Sequence, residues 1–372
     1  MKIVFIIDSL QRHGTQRFLT RLARGLQDLG YNQTVIAVND ASDPDIEQDL
    51  SSTGCTIVRI GKFTLLLGGL GWWRLVVMLK RLRPDVVMTM LDFADTLGRP
   101  AAQLAGCRSL VTSIRARNLA KPLWRRWFDR KTILWAEKVV FNSRSIVEYA
   151  RQNEGVHPGQ VVVIPNGVDD LRPRSGALRS QYRQRLSLPP ETLLLGSVAR
   201  LNHQKNLALL LRAAKKLPAN RRWKILLVGD GPERSRLLSL GQELGLADRL
   251  IWLGARHDIE GWLGAMDIFV HTANFEGMPN AVMEAMAAGL PVVASAVDGT
   301  CELIEDGVSG YLVSPGDVNA FAQRIRQLME NPDLARRLGE KAHSDVLERF
   351  DLPRMIRGYD QLFRSLVSPE SA

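Results

Sequence analysis

The chain has 372 residues, 45% of them hydrophobic, which is enough for about two domains with substantial cores. Three cysteines, Cys55, Cys107 and Cys301, are scattered without CxxC spacing, which argues against a disulfide framework or a cysteine-based zinc site and fits a reducing cytosol. The formal net charge of +10 suggests an anionic partner, yet no nucleic-acid recognition motif accompanies it, and no uncharged apolar run reaches the roughly 18 residues needed to span a bilayer.

The opening run Met1 to Ser9 is too short for a signal peptide and is interrupted by Asp8, so it reads as a first β-strand, Lys2–Ile7. A helix follows over Gln16–Leu29, with Leu19, Leu22, Ala23 and Leu26 on one face. Gly14, on the loop between them, would let a ligand approach the backbone closely, with the helix N-terminus adding affinity for an anion. The competing reading of Gly14 is a plain strand-to-helix loop. Further strands are expected at Thr34–Ala37, Val86–Met90, Leu110–Ile114, Lys138–Asn142 and Val161–Pro165, alternating with helical patterns.

Two stretches in this half mix tryptophan with cations: Leu65 to Arg74, running on to Lys80–Arg83, and Lys121 to Lys131. That composition suits an interfacial contact with an anionic membrane surface through Trp72, Trp73, Trp124, Trp127, Arg125 and Arg126. Core packing of the same rings is the equal alternative.

Turn residues, arginines and prolines break the alternation from Asn166 to Pro190, and 171–191 is assigned as a linker. Strand runs then resume at Leu193–Val198, Lys224–Val228, Leu250–Leu253, Ile268–His271, Val292–Ala294 and Gly310–Val313. The expected architecture is α/β, two Rossmann-like doubly wound domains in tandem over 1–170 and 192–352. Ligands in such sheets bind outside the carboxyl ends of the strands, so two facing domains would form a cleft there.

The strand ending at Val198 leads into Arg200 and Lys205, two cations that could clamp a diphosphate and stabilise its charge as it leaves. A solvated loop with surface cations is the bland alternative. Gly229-Asp-Gly231 tempts one toward a dinucleotide fingerprint, but Pro232 follows and Arg234 stands at the third glycine position, so it reads as a tight turn. The most informative segment is Asn274 to Ser295. It places Glu276 in a Gly/Pro loop and Glu284 as the one charge in the apolar stretch Pro279 to Ala288. A lone carboxylate on a buried helix needs partners, and a vicinal diol is a good one. The helix start near Asn280 suits a phosphate. The histidines have no metal-ligand spacing, and neither a P-loop nor a GxSxG motif is present.

With these residues in view, the chain resembles the large GT4 family of retaining glycosyltransferases, which have the GT-B fold. Glu276 and Glu284 stand in the family's E-x7-E arrangement, and Ile164 to Val168, Gly229 to Glu233 and Leu253-Gly254 match further landmarks. The resemblance implies a nucleotide-diphosphate sugar, UDP- or GDP-linked, as donor. Glu276 would contact the donor sugar, Glu284 the ribose, and Arg200 and Lys205 the diphosphate. Backbone groups at Gly14, Met278, Asn280 and Ala281 would complete the anion site, and Arg256 would meet the base. It implies a saccharide or lipid-linked acceptor, a helix over 353–372 that returns to the first domain, and a place in cell-surface polysaccharide, lipopolysaccharide or glycolipid synthesis. No cofactor and no metal are expected, nor a nucleic-acid partner, and the location would be cytoplasmic, peripheral on the inner face of the membrane. The family's Gly-Gly-Ala-Glu-Arg motif appears as His13 to Arg17, keeping Gly14 and Arg17. The His common in the first domain is absent from 112–118, where Arg115 and Asn118 could line an acceptor site. Rival readings are a nucleotide-sugar epimerase of the same fold and a non-catalytic nucleotide-sugar-binding module at the membrane.

Overall fold

A computed structural model describes residues 1–61, 70–117 and 121–367. The chain divides into two compact units, residues 1–167 with 352–372, and residues 168–351.

The first unit is a parallel sheet in the order β3-β2-β1-β4-β5-β6-β7. The strands are β1 (Lys2–Ile7), β2 (Asn32–Ala37), β3 (Thr56–Arg59), β4 (Val86–Met90), β5 (Ser109–Ile114), β6 (Lys138–Phe141) and β7 (Val161–Val163). The helices are α1 (Gly14–Asp28), α2 (Pro44–Ser52), α3 (Leu70–Leu82), α4 (Asp92–Ala105), α5 (Leu123–Thr132) and α6 (Val147–Glu154), with a C-terminal helix given below. Along β1 the side chains alternate between two cores. Ile3, Phe5 and Ile7 pack with α1, while Val4 and Ile6 pack with α3 and α4. Burial on both faces is why these strands read as continuous apolar runs. β3, which no strand run announces, is a four-residue edge strand held by pairing with β2.

The second unit follows the same plan in the order β10-β9-β8-β11-β12-β13. It contains α7 (Arg172–Arg185), β8 (Leu193–Val198), α8 (Leu207–Ala214), β9 (Trp223–Val228), α9 (Arg234–Glu243), β10 (Leu250–Gly254), α10 (Ile259–Ala265), β11 (Ile268–His271), α11 (Asn280–Ala287), β12 (Val292–Ser295), α12 (Asp298–Leu303), β13 (Tyr311–Val313), α13 (Val318–Glu330) and α14 (Pro332–Phe350). The first strand, β8, lies beside both the second and the fourth, so the winding reverses between β8 and β11. Loops leaving the carboxyl ends of those two strands diverge, which opens space for a ligand.

One finding differs from the expected organisation. The stretch 171–191 is no linker: α7 occupies most of it and belongs to the second unit. Its arginines cap the C-terminus of α10, with Arg179 donating to the carbonyls of Gly264 and Met266 at 2.9 and 2.8 Å and Arg183 to that of Ala265 at 3.0 Å. Asp267 accepts from Arg183 at 3.1 Å. Cations at a helix C-terminus are stabilising, but this is a tertiary effect that the polar sequence of α7 does not display. The chain's last described helix, α15 (Leu352–Val367), packs on α1 in the first unit, burying Met355, Ile356, Tyr359, Leu362 and Phe363.

No helix among the described residues is long and apolar enough to cross a membrane. Of the residues offered for a membrane face, Arg125 and Trp72 are packed instead: Arg125 donates to Thr96 at 3.1 Å and covers the Phe93 ring, and the Trp72 indole donates to the Leu97 carbonyl at 3.0 Å.

Candidate active site

The second unit places Arg200 and Lys205 on the loop that leaves β8, and Glu276 and Glu284 on the loop and helix that leave β11. β8 and β11 are hydrogen-bonded neighbours, Leu195 opposite Ile268 and Gly196 opposite Phe269. Four expected site residues therefore share one sheet edge, at the switch point.

The two loops are joined by side chains. Thr272 donates to the Lys205 carbonyl at 3.0 Å. Asn274 donates to the His203 carbonyl at 2.9 Å and accepts from Asn206 at 3.0 Å. Gln204 donates to the Phe275 carbonyl at 3.1 Å. These bonds hold the cationic loop against the acidic one, and Lys205 forms an ion pair with Glu276.

Glu276 is buried. Burial alone would raise its pKa, but Lys205 and His271 outweigh it and hold the carboxyl down at about 2. The carboxylate is thus ionised in a dry setting, a state that needs paired charge to persist. The backbone around it is equally fixed. Its amide faces the Asp298 carboxylate at 3.3 Å, and Gly299 donates to the Gly277 carbonyl at 2.9 Å. A Cβ at Gly299 would overlap that carbonyl oxygen, so only glycine lets α12 seat against the loop.

His271, the last residue of β11, lies with Nε2 at 3.2 Å from a Glu276 oxygen. It is fully buried, and burial holds its pKa below the ordinary value, with Lys205 adding to that effect and Glu276 opposing it. Sequence reasoning set this residue aside with the other histidines for want of metal-ligand spacing. The signal available was its position, at a strand's carboxyl end five residues before the acidic loop residue.

Glu284 sits in the second turn of α11, buried among Val282, Met283, Ala285, Met286 and Ala287. Pro279 caps the helix, Asn280 is its first residue and Met278 is buried just before it. The helix ends in a Schellman turn: Gly289, at φ +77°, donates to Met286, and Leu290 to Ala285. Arg200 is exposed on its loop, and Arg256 is exposed beyond β10, two strands from β8, its guanidinium 5.6 Å above the Trp262 ring. Gly14 opens α1 in the first unit. The structure thus brings Lys205 and Glu276 into contact, and sets Arg200, Met278, Asn280, Ala281 and Glu284 on the same pair of connections.

The Gly229–Gly231 turn has a structural use. Leu201 donates to the Asp230 carbonyl and Glu233 to that of Leu201, both at 3.0 Å. A Cβ at either glycine would overlap backbone oxygen, of Ala199 or of Leu201. These glycines seat the loop that carries Arg200.

In the first unit, Arg115 donates to Asn166 and stacks 3.6 Å above the Phe18 ring. Its guanidinium is thus engaged in packing. Asn118, also considered for an acceptor site, lies outside the described residues.

Comparison with known proteins supports a common reading of both units. Residues 12–172 match the family model described as Glycosyltransferase Family 4, and residues 179–345 match Glycosyl transferases group 1. The lipopolysaccharide core biosynthesis glycosyltransferase LpsE of Rhizobium meliloti (strain 1021) is 27% identical, covering 95% of this chain and 96% of that protein. The UDP-Gal:alpha-D-GlcNAc-diphosphoundecaprenol alpha-1,3-galactosyltransferase of Escherichia coli is 26% identical over 78% of each. The exopolysaccharide phosphotransferase SCO2592 of Streptomyces coelicolor is 35% identical over 59% of this chain, which spans 22% of that longer protein. Among solved structures, Anabaena Alr3699/HepE in complex with UDP-glucose has the same fold, with a TM-score of 0.85 at 24% identity, covering 98% of this chain and all of that one.

Proposed function

The chain belongs to glycosyltransferase family 4 and has the GT-B fold, and we propose that it moves a sugar from a nucleotide-diphosphate sugar to an acceptor hydroxyl, with retention of anomeric configuration, in the synthesis of surface polysaccharide or lipopolysaccharide. The observation that carries this reading is the juxtaposition of Lys205 and Glu276 at the switch point between β8 and β11, with buried Glu284 one helix turn beyond. The names of the LpsE and galactosyltransferase relatives support the product class, and the latter favours a UDP-linked donor and a lipid-linked acceptor.

In this mechanism Glu284 accepts hydrogen bonds from the ribose hydroxyls and Glu276 holds the sugar being moved. Arg200 and Lys205 face the diphosphate, and backbone N–H groups at Asn280 and Ala281 add to the anion site. The acceptor oxygen bonds to the anomeric carbon as the bond to the diphosphate breaks. The departing phosphate takes the acceptor's proton and leaves with the bonding electrons. The protein contributes position and charge stabilisation, and the two cations do this without a metal ion.

The test is turnover of a panel of UDP- and GDP-sugars with lipid-linked and free saccharide acceptors. A charge-assisted contact is worth about 1.5–3 kcal/mol, so Glu284→Ala should weaken donor use by roughly 10- to 100-fold. Lys205→Ala should lower kcat more than it raises the donor KM. Wild-type donor kinetics in Glu284→Ala would remove the ribose assignment. Isomerised donor with no glycosylated product would mean an epimerase, and nucleotide binding without turnover a binding module.

A further inference from the structure

The groups that hold the Glu276 carboxylate differ in how freely they can leave it. Oε1 meets the Lys205 ammonium and lies 3.2 Å from His271 Nε2, while Oε2 accepts from Gln204 at 3.4 Å. Lys205 reaches the carboxylate along a flexible four-carbon stem, and its side chain is 20% exposed. Its backbone carbonyl is held by Thr272, so the ammonium can change partner by side-chain rotation alone. His271 has no such freedom: it stands on β11 itself, and its side chain is 2% exposed.

Under the donor reading, on which this inference rests, Lys205 has two claimants. A diphosphate carries more negative charge than one carboxylate and draws the ammonium away from Glu276. Glu276 is then a buried anion beside neutral sugar hydroxyls, a costly state unless another positive charge compensates it. His271 is already in place to supply one. Its Nε2 must present N–H to the carboxylate, because a lone pair there would be repelled. The distance suits a hydrogen bond, yet Nε2 has no aligned partner, and Oε1 is turned to Lys205. Freed from the lysine, the carboxylate can turn that oxygen onto the ring.

Few charges bear on the ring. β8 and β12, its neighbours in the sheet, contain no titratable residue, and α11, which packs on β11, contains only Glu284. Burial above all, with Lys205 adding to it, keeps the ring neutral, and Glu276 opposes both. Departure of Lys205 leaves burial as the one opposing effect. We propose that His271 is the positioning residue for Glu276: as Lys205 turns to the donor diphosphate, the ring takes a proton from solvent and stays behind as the carboxylate's counter-charge. The proton adds to the ring nitrogen that is bare in the neutral form, and no bond of the sugar is made or broken in this step.

The experiment is calorimetric titration of the full chain with the UDP- or GDP-sugar that binds it most tightly, at about pH 6.5, in two buffers of unlike ionisation enthalpy. The diphosphate diester of a nucleotide sugar does not titrate there, so a buffer-dependent heat counts protons taken up by the protein. Wild type should take up a proton on binding, and His271→Gln should bind without uptake. Wild-type kcat should fall as pH rises through the titration of the ring in the donor complex. His271→Gln, which keeps an N–H but cannot be protonated, should lack that limb. It should trail wild type about tenfold at about pH 6.5 and match it at about pH 8.5. His271→Ala should stay about 10- to 100-fold down in kcat at both. Variants that melt early yet keep the wild-type kcat and its pH limb would make His271 a packing residue only. Heats independent of buffer, or uptake that persists in His271→Gln, would overturn the proposal and leave the donor reading intact. If no nucleotide sugar binds, the donor reading itself falls, and this role with it.

Discussion

The buried pair of Glu276 and His271 makes acid a specific threat to the second unit. The Glu276 carboxyl titrates at about 2 against an ordinary value of 4.5, so the stability it contributes is present above about pH 4.5 and lost as pH falls toward 2. His271 is also held below its ordinary value of 6.5. For a histidine that shift means the unfolded chain binds the proton first, so folding loses stability as pH drops below about 6.5. Both groups therefore act in the same direction, in two windows. The melting temperature of this unit should fall in two stages between about pH 7 and pH 3, and His271→Gln should flatten the upper stage. Glu276→Gln should flatten the lower one while lowering the melting temperature at neutral pH, because Lys205 loses its counter-charge. Calorimetric scans of the three proteins across that range check this, and three superimposable profiles would sink it.

At the scale of elements, two loops that carry no regular structure are positioned by glycines and amides. Gly229 combines φ +138° with an overlap that any Cβ would make with the Ala199 carbonyl. Gly316 has φ +85° but open space around it. Gly316→Ala should therefore cost only the conformational strain, about 1 kcal/mol. Gly229→Ala adds an overlap with backbone that cannot swing away, and should cost about 3 kcal/mol while raising the donor KM through a displaced Arg200 loop. Denaturant melts and donor kinetics measure both, and equal effects at the two positions would refute the packing role. The same elements show what the sequence reveals. Central strands such as Lys2–Ile7, Val86–Met90 and Ile268–His271 are legible because burial on both faces makes all but one residue of each apolar. Glu276 and Glu284 are legible because charge is rare in apolar surroundings. The edge strand Thr56–Arg59 is not, being short and half-exposed. Nor is α7, which is polar along its length and whose anchors are carbonyls some 80 residues away. Gln204 and Asn274 escape notice for the same reason: each acts on a group that only the folded sheet brings near.

The chain as a whole is threaded so that its first unit needs both ends of the sequence. α15 leaves the second unit at Leu352 and lies on α1. Gly25 is cut to fit it, since a Cβ there would overlap the Ile356 side chain. Tyr359 sits between Phe18 and Phe363, with ring centroids 5.6 and 5.8 Å apart. The Ser109 hydroxyl donates to the Leu366 carbonyl at 3.1 Å. Five apolar side chains buried on this helix, at about 1.5–3 kcal/mol each, sum to a figure comparable with the whole stability of a domain, about 5–15 kcal/mol. The second unit has its own two cores, to which α15 contributes nothing. Ending the chain at Asp351 should therefore unfold the first unit and spare the second. In limited proteolysis, residues 1–167 should be digested while a fragment close to 168–351 persists and keeps its own melting transition. If the truncated protein retained a protease-resistant first unit, α15 would be an accessory to that domain and not one of its supports.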